Sequence, residues 1–224
     1  MYGFSGKIDF NGNKLKCDTT GYGGLFNRIE ESGIIQNFVL EIDLNNNVET
    51  SDRALGFSNN YGTIRNFKLV LKESTNKANR AIYLLGTTNY GTIENFVFQA
   101  ECNLYGSDCL SLGVNTNNGT IKNGYAYGEN IKGIYSNEQH NRDIGVVMMN
   151  NAGTAINIFS LVNIDVNGTV LNENNGNVIS YTSSSGITEN VYSVGCGQNY
   201  NLTYGPTIGD ATVNVNKVNN VYYF

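Results

Sequence analysis

The segment Gly62-Thr63-Ile64-Arg65-Asn66-Phe67 is one copy of a phrase that recurs along the chain. Each copy begins with Gly, continues through mostly β-branched residues and one variable residue, and has Asn at its fifth position. The copies begin at Gly33, Gly62, Gly91, Gly119, Gly153 and Gly186, at intervals of 29, 29, 28, 34 and 33 residues. A period in this range predicts a solenoid, in which each unit buries its apolar face against its neighbours.

The Asn of the phrase marks an expected bend in each coil. Phe67, Leu69 and Leu71 alternate like a strand with one buried face, but they are out of step with Ile64. Because Asn accepts the left-handed conformation that a sharp turn requires, we expect a corner at this position. Stacking of coils about 4.8 Å apart then aligns the corner amides in a structural ladder. Its members are Asn37, Asn66, Asn95, Asn123, Asn157, Asn190 and, in a degenerate seventh copy, Asn220.

A further apolar segment precedes each Gly and predicts a third strand per coil, as in Ile82-Tyr83-Leu84-Leu85. No stretch has helical periodicity, so the sequence predicts an all-β protein. The expected fold is a parallel β-helix of about seven coils, each of 28–34 residues and three short strands, in one domain over residues 1–224.

Composition excludes several classes of partner. The net charge is −5 and no basic stripe is present, which argues against nucleic acid. No apolar run is long enough to insert into a membrane, and no signal peptide is visible. The final Tyr222-Tyr223-Phe224 falls within a rung, so we expect a segment of a larger protein that self-associates through this C-terminal rung. Cys102 and Cys109 flank a short loop, and a disulfide between them stays open beside the alternative of small buried hydrophobes.

Two phrases carry a resemblance to a known family: Gly91-Thr-Ile-Glu-Asn95 and Gly119-Thr-Ile-Lys-Asn-Gly-Tyr-Ala-Tyr-Gly128. They resemble the GLUG-type repeats of bacterial surface proteins, and Phe4 to Leu15 looks like the opening that precedes such repeats. The resemblance implies a right-handed parallel β-helix of the pectin-lyase-like superfamily. It also implies an extracellular or cell-surface location, as in adhesins, in the N-terminal regions of immunoglobulin A-cleaving metallopeptidases, and in phage or surface fibres.

Candidate chemistry is sparse. The one His lies in a loop that brings together Glu138, His140, Arg142 and Asp143, a candidate acid–base cluster. The other interpretation of this loop is a solvated charged insertion, and we expect His140 not to be catalytic. No metal or cofactor motif is present, so no metal or cofactor is expected. Tyr125 and Tyr127 should point outwards and contribute to ligand binding, because their rings combine an apolar body with a polar tip.

The sequence therefore favours a non-catalytic binding or structural module, such as an adhesin or fibre segment that contacts a polysaccharide or a host surface. Two alternatives stay open. One is a carbohydrate-active enzyme, either a polysaccharide lyase or a glycoside hydrolase. The other is a receptor-binding piece of a phage tail fibre.

Overall fold

The computed structural model describes residues 3–18, 24–44, 53–73, 81–106, 109–129, 131–134, 144–162, 164–167, 175–176, 178–183, 185–193, 208–210 and 218–223. All the strand pairs in this part of the chain are parallel, and none of these residues is helical. The described residues accordingly contain no helix that could cross a membrane. The all-β parallel solenoid that the repeat predicts is confirmed. Strands are numbered below in chain order.

The largest sheet is built from the repeated phrase. Each phrase strand pairs with the phrase strand of the next coil, so that Thr63 lies opposite Thr92, and Phe67 opposite Phe96. Its described strands are β1 (Lys7–Asp9), β2 (Lys14–Asp18), β4 (Ile34–Asp43), β7 (Thr63–Glu73), β10 (Thr92–Ala100), β14 (Thr120–Gly128), β18 (Thr154–Ser160), β22 (Ile187–Ser193) and β24 (Val218–Tyr223).

Three smaller sheets complete the wall of the solenoid. The seven-stranded sheet contains β3 (Phe26–Ile29), β6 (Phe57–Asn60), β9 (Gly86–Asn89), β13 (Val114–Asn117), β17 (Met148–Asn151), β21 (Ile179–Thr182) and β23 (Ile208–Asp210). The five-stranded sheet contains β5 (Arg53–Ala54), β8 (Ile82–Tyr83), β12 (Leu110–Ser111), β16 (Ile144–Gly145) and β20 (Asn175–Gly176). The three-stranded sheet contains β11 (Leu104–Gly106), β15 (Ile131–Ile134) and β19 (Ile164–Asn167).

Two details of the predicted coil are wrong. The solenoid has about five complete turns, not seven, because the first and last strands of the large sheet belong to incomplete coils. Coils are numbered here from the phrase that begins each one, coil one at Gly33 and coil six at Gly186. Of the predicted third strand, only Ile82–Tyr83 is extended, and a separate strand follows at Gly86–Asn89. Between them Leu84 and Leu85 are both buried, and two consecutive inward residues require a bend.

The corner at Asn is confirmed. All six Asn residues of the ladder with described side chains have positive φ, from 52° at Asn190 to 60° at Asn37. The bend resets the alternation, so that in β4 Ile35 is buried before the corner and Phe38, Leu40 and Ile42 are buried after it. Asn220 lies in β24, and its side chain is outside the described residues.

The core is a stack of layers, in which residues at equivalent positions of successive coils pack on one another. The rings of Phe38 and Phe67 stack at 5.0 Å with an interplanar angle of 10°, and Phe67 is followed by Phe96 at 6.0 Å. The next residue in this column is Gly124, at which an added Cβ would overlap the Phe96 ring. The absence of a side chain at this position therefore makes room for Phe96, which packs against Phe98 at 4.6 Å.

Two Asn ladders run along the solenoid. The predicted corner ladder is present: from Asn66 to Asn190, each side-chain amide donates to the Oδ1 of the preceding member, at 3.0–3.2 Å. Most members of the corner ladder are exposed. A second ladder, absent from the sequence-based prediction, is fully buried and contains Asn60, Asn89, Asn117 and Asn151.

The described cysteines are not joined to one another. Cys102 packs beside the main core and Cys109 beside a separate small cluster that contains Tyr83 and Met149. Both are half-buried, as is Cys17. The structure thus favours the small-hydrophobe interpretation over the disulfide for these residues.

Candidate binding surface

The predicted acid–base cluster cannot be placed. Glu138, His140, Arg142 and Asp143 all lie outside the described residues. The two predicted binding residues, Tyr125 and Tyr127, are in β14 and fall on the outside of the large sheet. Their orientation follows from the alternation after the corner, because Gly124 and Ala126 take the inward positions.

Register extends these two tyrosines into a larger surface. Strand pairing places Phe159 beside Tyr125, and Tyr192 beside Phe159, while Leu161 follows one outward position later. We call Tyr125, Tyr127, Phe159, Leu161 and Tyr192 the outer aromatic face. Tyr125 is 37% exposed and Leu161 is 41% exposed, and the other three are half-buried. Exposed apolar residues grouped in this way mark surfaces that contact a ligand or a partner.

The rings of the outer aromatic face stand side by side. Tyr125 stacks against Tyr127 at 5.1 Å and 11°, and against Phe159 at 6.5 Å and 20°. Because neighbouring rings cover each other's faces, the surface presents ring edges and phenol hydroxyls. An approaching ligand would therefore meet apolar C–H edges together with hydrogen-bonding tips.

Tyr127 is anchored by the two preceding coils. Its hydroxyl donates to Gln99 Oε1 at 2.6 Å and accepts from Lys68 Nζ at 3.2 Å. Lys68 also lies 5.7 Å from the centre of the Tyr127 ring, within the range of a cation–π contact. Tyr127 is thus held in one orientation, whereas Tyr125 is more exposed.

Charged residues occupy the same side of the large sheet in earlier coils. Lys14 Nζ donates to Glu41 Oε1 at 2.7 Å, and this bond holds the pKa of the Glu41 carboxyl below its ordinary value. Lys72 Nζ pairs with Glu101 at 2.7 Å, and the bond to Glu101 raises the pKa of Lys72. The Glu41 carboxylate, which Lys14 holds ionised, acts as part of a structural ion pair and is poorly suited to donating a proton.

A second polar column runs before the corner, on the third residue after the phrase Gly in coils one to four. Gln36 donates to Asp9 Oδ2 at 2.6 Å and accepts from Arg65 Nε at 2.9 Å. Two coils on, Lys122 pairs with Glu94 at 3.1 Å. Gln36 is only 7% exposed because its neighbours in the adjacent coils enclose it.

No group of three or more His, Cys, Asp or Glu residues that could hold a metal ion occurs in the described part of the chain. The Asp9 carboxylate, at the turn between β1 and β2, accepts bonds from the Asn11 backbone and the Gln36 and Asn37 side chains. These bonds lower the pKa of the Asp9 carboxyl, and the bond from the Asn11 backbone has the largest effect. Asp9 therefore ends the corner ladder as an acceptor.

One more surface feature, absent from the sequence-based prediction, is a stack of an arginine on two tyrosines. The Arg28 guanidinium lies 4.4 Å from the centre of the Tyr61 ring, and Tyr61 stacks on Tyr90 at 4.7 Å and 6°. Both tyrosines directly precede a phrase Gly, so their shared offset within the repeat was a signal that could have revealed the stack.

Comparison with known proteins gave no relative. No family model matches the chain, and neither the curated proteins nor the solved structures contain a match. The resemblance to GLUG-type repeats therefore stays a prediction, and any function must be argued from the surface itself.

Proposed function

We propose that this chain is a non-catalytic binding module, located outside the cell or at its surface, which contacts a polysaccharide or host-surface glycan through the outer aromatic face. The single observation behind the proposal is that aromatic side chains lie on the outer face of the large sheet in coils four to six. Membership of the GLUG-type β-helices of surface proteins belongs to the same proposal, and the repeated phrase supports it.

The chemistry of the face suits a sugar polymer. Pyranose rings have apolar C–H patches and a rim of hydroxyls, and the face offers both complements. The ring edges of Tyr125 and Phe159 supply the apolar contact, and the tyrosine hydroxyls supply the hydrogen bonds. The large sheet is continuous along the solenoid axis, so an extended chain could contact successive coils.

Catalysis has less support among the described residues. Glu41, Glu94 and Glu101 are each paired with a lysine, and Glu30 with Arg28 at 3.0 Å. A glycosidase needs one carboxyl whose pKa is raised so that it can act as an acid, and among the described carboxyls with a resolved shift, Asp9 and Glu41, the direction is downwards.

The test is adsorption of the chain to a panel of immobilised polysaccharides. We expect wild type to be retained by at least one polymer, and Tyr125→Ala to lower retention about tenfold, which corresponds to about 1.4 kcal/mol. Val97→Ala, at the same outward position in the adjacent preceding strand β10, is the matched control and should leave retention unchanged.

The same panel tests catalysis. The contrary result is that wild type releases unsaturated or reducing ends and that His140→Ala has lost this release. That result would show that the chain is a carbohydrate-active enzyme and not a non-catalytic binding module. Retention of Tyr125→Ala equal to that of wild type would move the binding site away from the outer aromatic face.

A further inference from the structure

A second ligand site is indicated by the way the Arg28–Tyr61–Tyr90 stack ends. The three residues occupy successive coils, and the nearly parallel rings of Tyr61 and Tyr90 are one coil spacing apart. One face of the Tyr90 ring is covered by Tyr61. Tyr90 is nevertheless 46% exposed, the largest exposure among the described large hydrophobic residues.

The next coil does not continue the stack. Tyr90 N donates to Asn60 O, and the equivalent bond of the following coil runs from Asn118 N to Asn89 O. Asn118 therefore takes the backbone position that Tyr90 has one coil earlier. In the coil after that, the same bond is made by Ala152 to Asn117 O. Because Asn118 and Ala152 are both smaller than Tyr, they leave a gap the size of one ring beside the second face of Tyr90. We call this gap the step.

Polar groups border this step. Asn118 is exposed, and its side chain makes no hydrogen bond within the described structure. Thr92 and Thr120 lie opposite each other two residues further along their strands, half-exposed, and their hydroxyls likewise have no described partner. The nearest charged residues in those strands, Glu94 and Lys122, neutralise each other at 3.1 Å.

We propose that a neutral pyranose ring stacks on the exposed face of Tyr90, in the step above Asn118. Its apolar C–H face would continue the stack, and its hydroxyls would bond to the Asn118 amide and the threonine hydroxyls. The mutual neutralisation of Glu94 and Lys122 favours an uncharged sugar over a uronate. This site is separate from the outer aromatic face, because the corner ladder, with Asn95 and Asn123, runs between them.

The test uses a single-tryptophan reporter. The chain has no Trp, so Tyr90→Trp introduces one fluorophore at the proposed site. The reporter is titrated with the methyl pyranosides of galactose, glucose, mannose and N-acetylglucosamine. We expect a saturable fluorescence change with at least one of them, and no saturable change with any of the four would overturn the proposal.

The most decisive variant is one that fills the step with a side chain. Asn118→Tyr extends the stack by one ring, so in the reporter background it should weaken binding at least tenfold while raising Tm. Wild type and Tyr90→Ala are compared by saturation-transfer NMR with the same sugars, which keeps the test valid if the filled variant does not fold. Unchanged affinity in Asn118→Tyr, or equal transfer in Tyr90→Ala, would contradict the proposal.

Tyr125→Ala in the reporter background separates this site from the proposed function. It should leave the titration unchanged even if it abolishes adsorption to polysaccharide. Loss of the fluorescence change in Tyr125→Ala would assign the sugar to the outer aromatic face instead and would refute a separate site at Tyr90.

Discussion

At the scale of single residues, the two Asn ladders differ in both burial and direction. In the corner ladder each amide donates towards the N-terminal coil, and the series ends on Asp9, with 3.0 Å from Asn37 Nδ2 to either carboxylate oxygen. In the buried ladder each amide donates towards the C-terminal coil, and Asn151 ends the series on Ile187 O and Thr188 Oγ1. Buried amides have no water to replace a lost partner, so the buried ladder should contribute more to stability.

The first prediction compares one member of each ladder. Asn89→Ala should lower the free energy of unfolding by about 1–3 kcal/mol per polar group left unpaired, because Asn60 loses its acceptor and Asn117 loses its donor. Asn95→Ala should cost less, about 1–2 kcal/mol, chiefly because Ala must adopt a φ of 55°. Urea denaturation of both variants measures the difference.

Asn95→Gly is the control for the backbone contribution. Glycine adopts positive φ without strain, so this variant should recover most of the stability lost in Asn95→Ala. A larger loss in Asn95→Gly than in Asn95→Ala, or a smaller loss in Asn89→Ala than in either, would contradict this ranking of the ladders.

The second prediction concerns the carboxylate at the end of the corner ladder. Hydrogen bonds from Asn11, Gln36 and Asn37 lower the pKa of Asp9 in the folded state. Its ionised form therefore contributes stability above the unfolded pKa of about 3.9, and this contribution is lost as pH falls through the lower folded value. Tm measured between about pH 5 and pH 2 should fall less steeply in Asp9→Asn than in wild type.

Glu31→Gln is the matched control, since Glu31 is exposed and its side chain makes no hydrogen bond or ion pair in the described structure. Its acid transition should follow that of wild type. An Asp9→Asn profile that coincides with the wild-type profile would show that the ladder end does not stabilise the fold through ionisation.

At the scale of the repeated element, close backbone approach explains the Gly that opens each phrase. A Cβ added at Gly91 would overlap the carbonyl oxygen of Gly62, and Gly119 has the same relation to Gly91. The backbones of neighbouring coils therefore lie closer together at the phrase Gly than any side chain allows. Gly recurs with the period of the coils because each coil requires this close backbone contact.

The third prediction follows from that approach. Gly91→Ala should force coils two and three apart and lower Tm strongly, whereas Gly6→Ala should be tolerated because its Cβ would meet the Phe4 ring at an ordinary 3.4 Å. Thermal denaturation followed by circular dichroism compares the two. Similar Tm values for both variants would contradict the role assigned to the phrase Gly.

How far the sequence predicts an element depends on whether the decisive residues are local. The corner was predictable because Asn66 and the change of alternation around it lie within one phrase. The broken third strand was not, because consecutive apolar residues such as Leu84-Leu85 also fit one continuous buried strand. The buried ladder is absent from the sequence-based prediction, although its members lie two residues before successive phrase glycines and this constant offset is visible in the sequence.

The candidate surface was predicted only where it lies within one strand. Tyr125 and Tyr127 are two residues apart, so alternation alone places them together. Phe159 joins them through the register of β14 with β18, across the 34-residue interval, which composition and local pattern do not fix.

At the scale of the whole molecule, the outside of the large sheet changes character along the solenoid axis. Ion pairs such as Lys14–Glu41 and Lys72–Glu101 occupy the early coils, and aromatic residues occupy coils four to six. A ligand that uses the later coils would be held mainly by apolar contact and neutral hydrogen bonds. Its binding should then depend little on ionic strength.

The fourth prediction is that polysaccharide retention persists in about 1 M salt, where the Debye length is about 3 Å and exposed charges are screened. Lys68→Met, which removes the cation beside Tyr127 and keeps much of the apolar chain, should reduce retention by less than Tyr125→Ala does. Loss of retention on addition of salt would show that charge, rather than the aromatic rings, carries binding.

Tyrosine-selective surface labelling, read by mass spectrometry, tests the location of the ligand most directly. Tyr125 is 37% exposed and should react, and Tyr83, at 5%, is an internal reference that should not. We expect at least one polysaccharide of the panel to protect Tyr125 from labelling. An unchanged unfolding temperature of the labelled chain is the control that the fold is intact. Unchanged labelling of Tyr125 in the presence of every polysaccharide would contradict the assignment of the outer aromatic face as a glycan-binding surface.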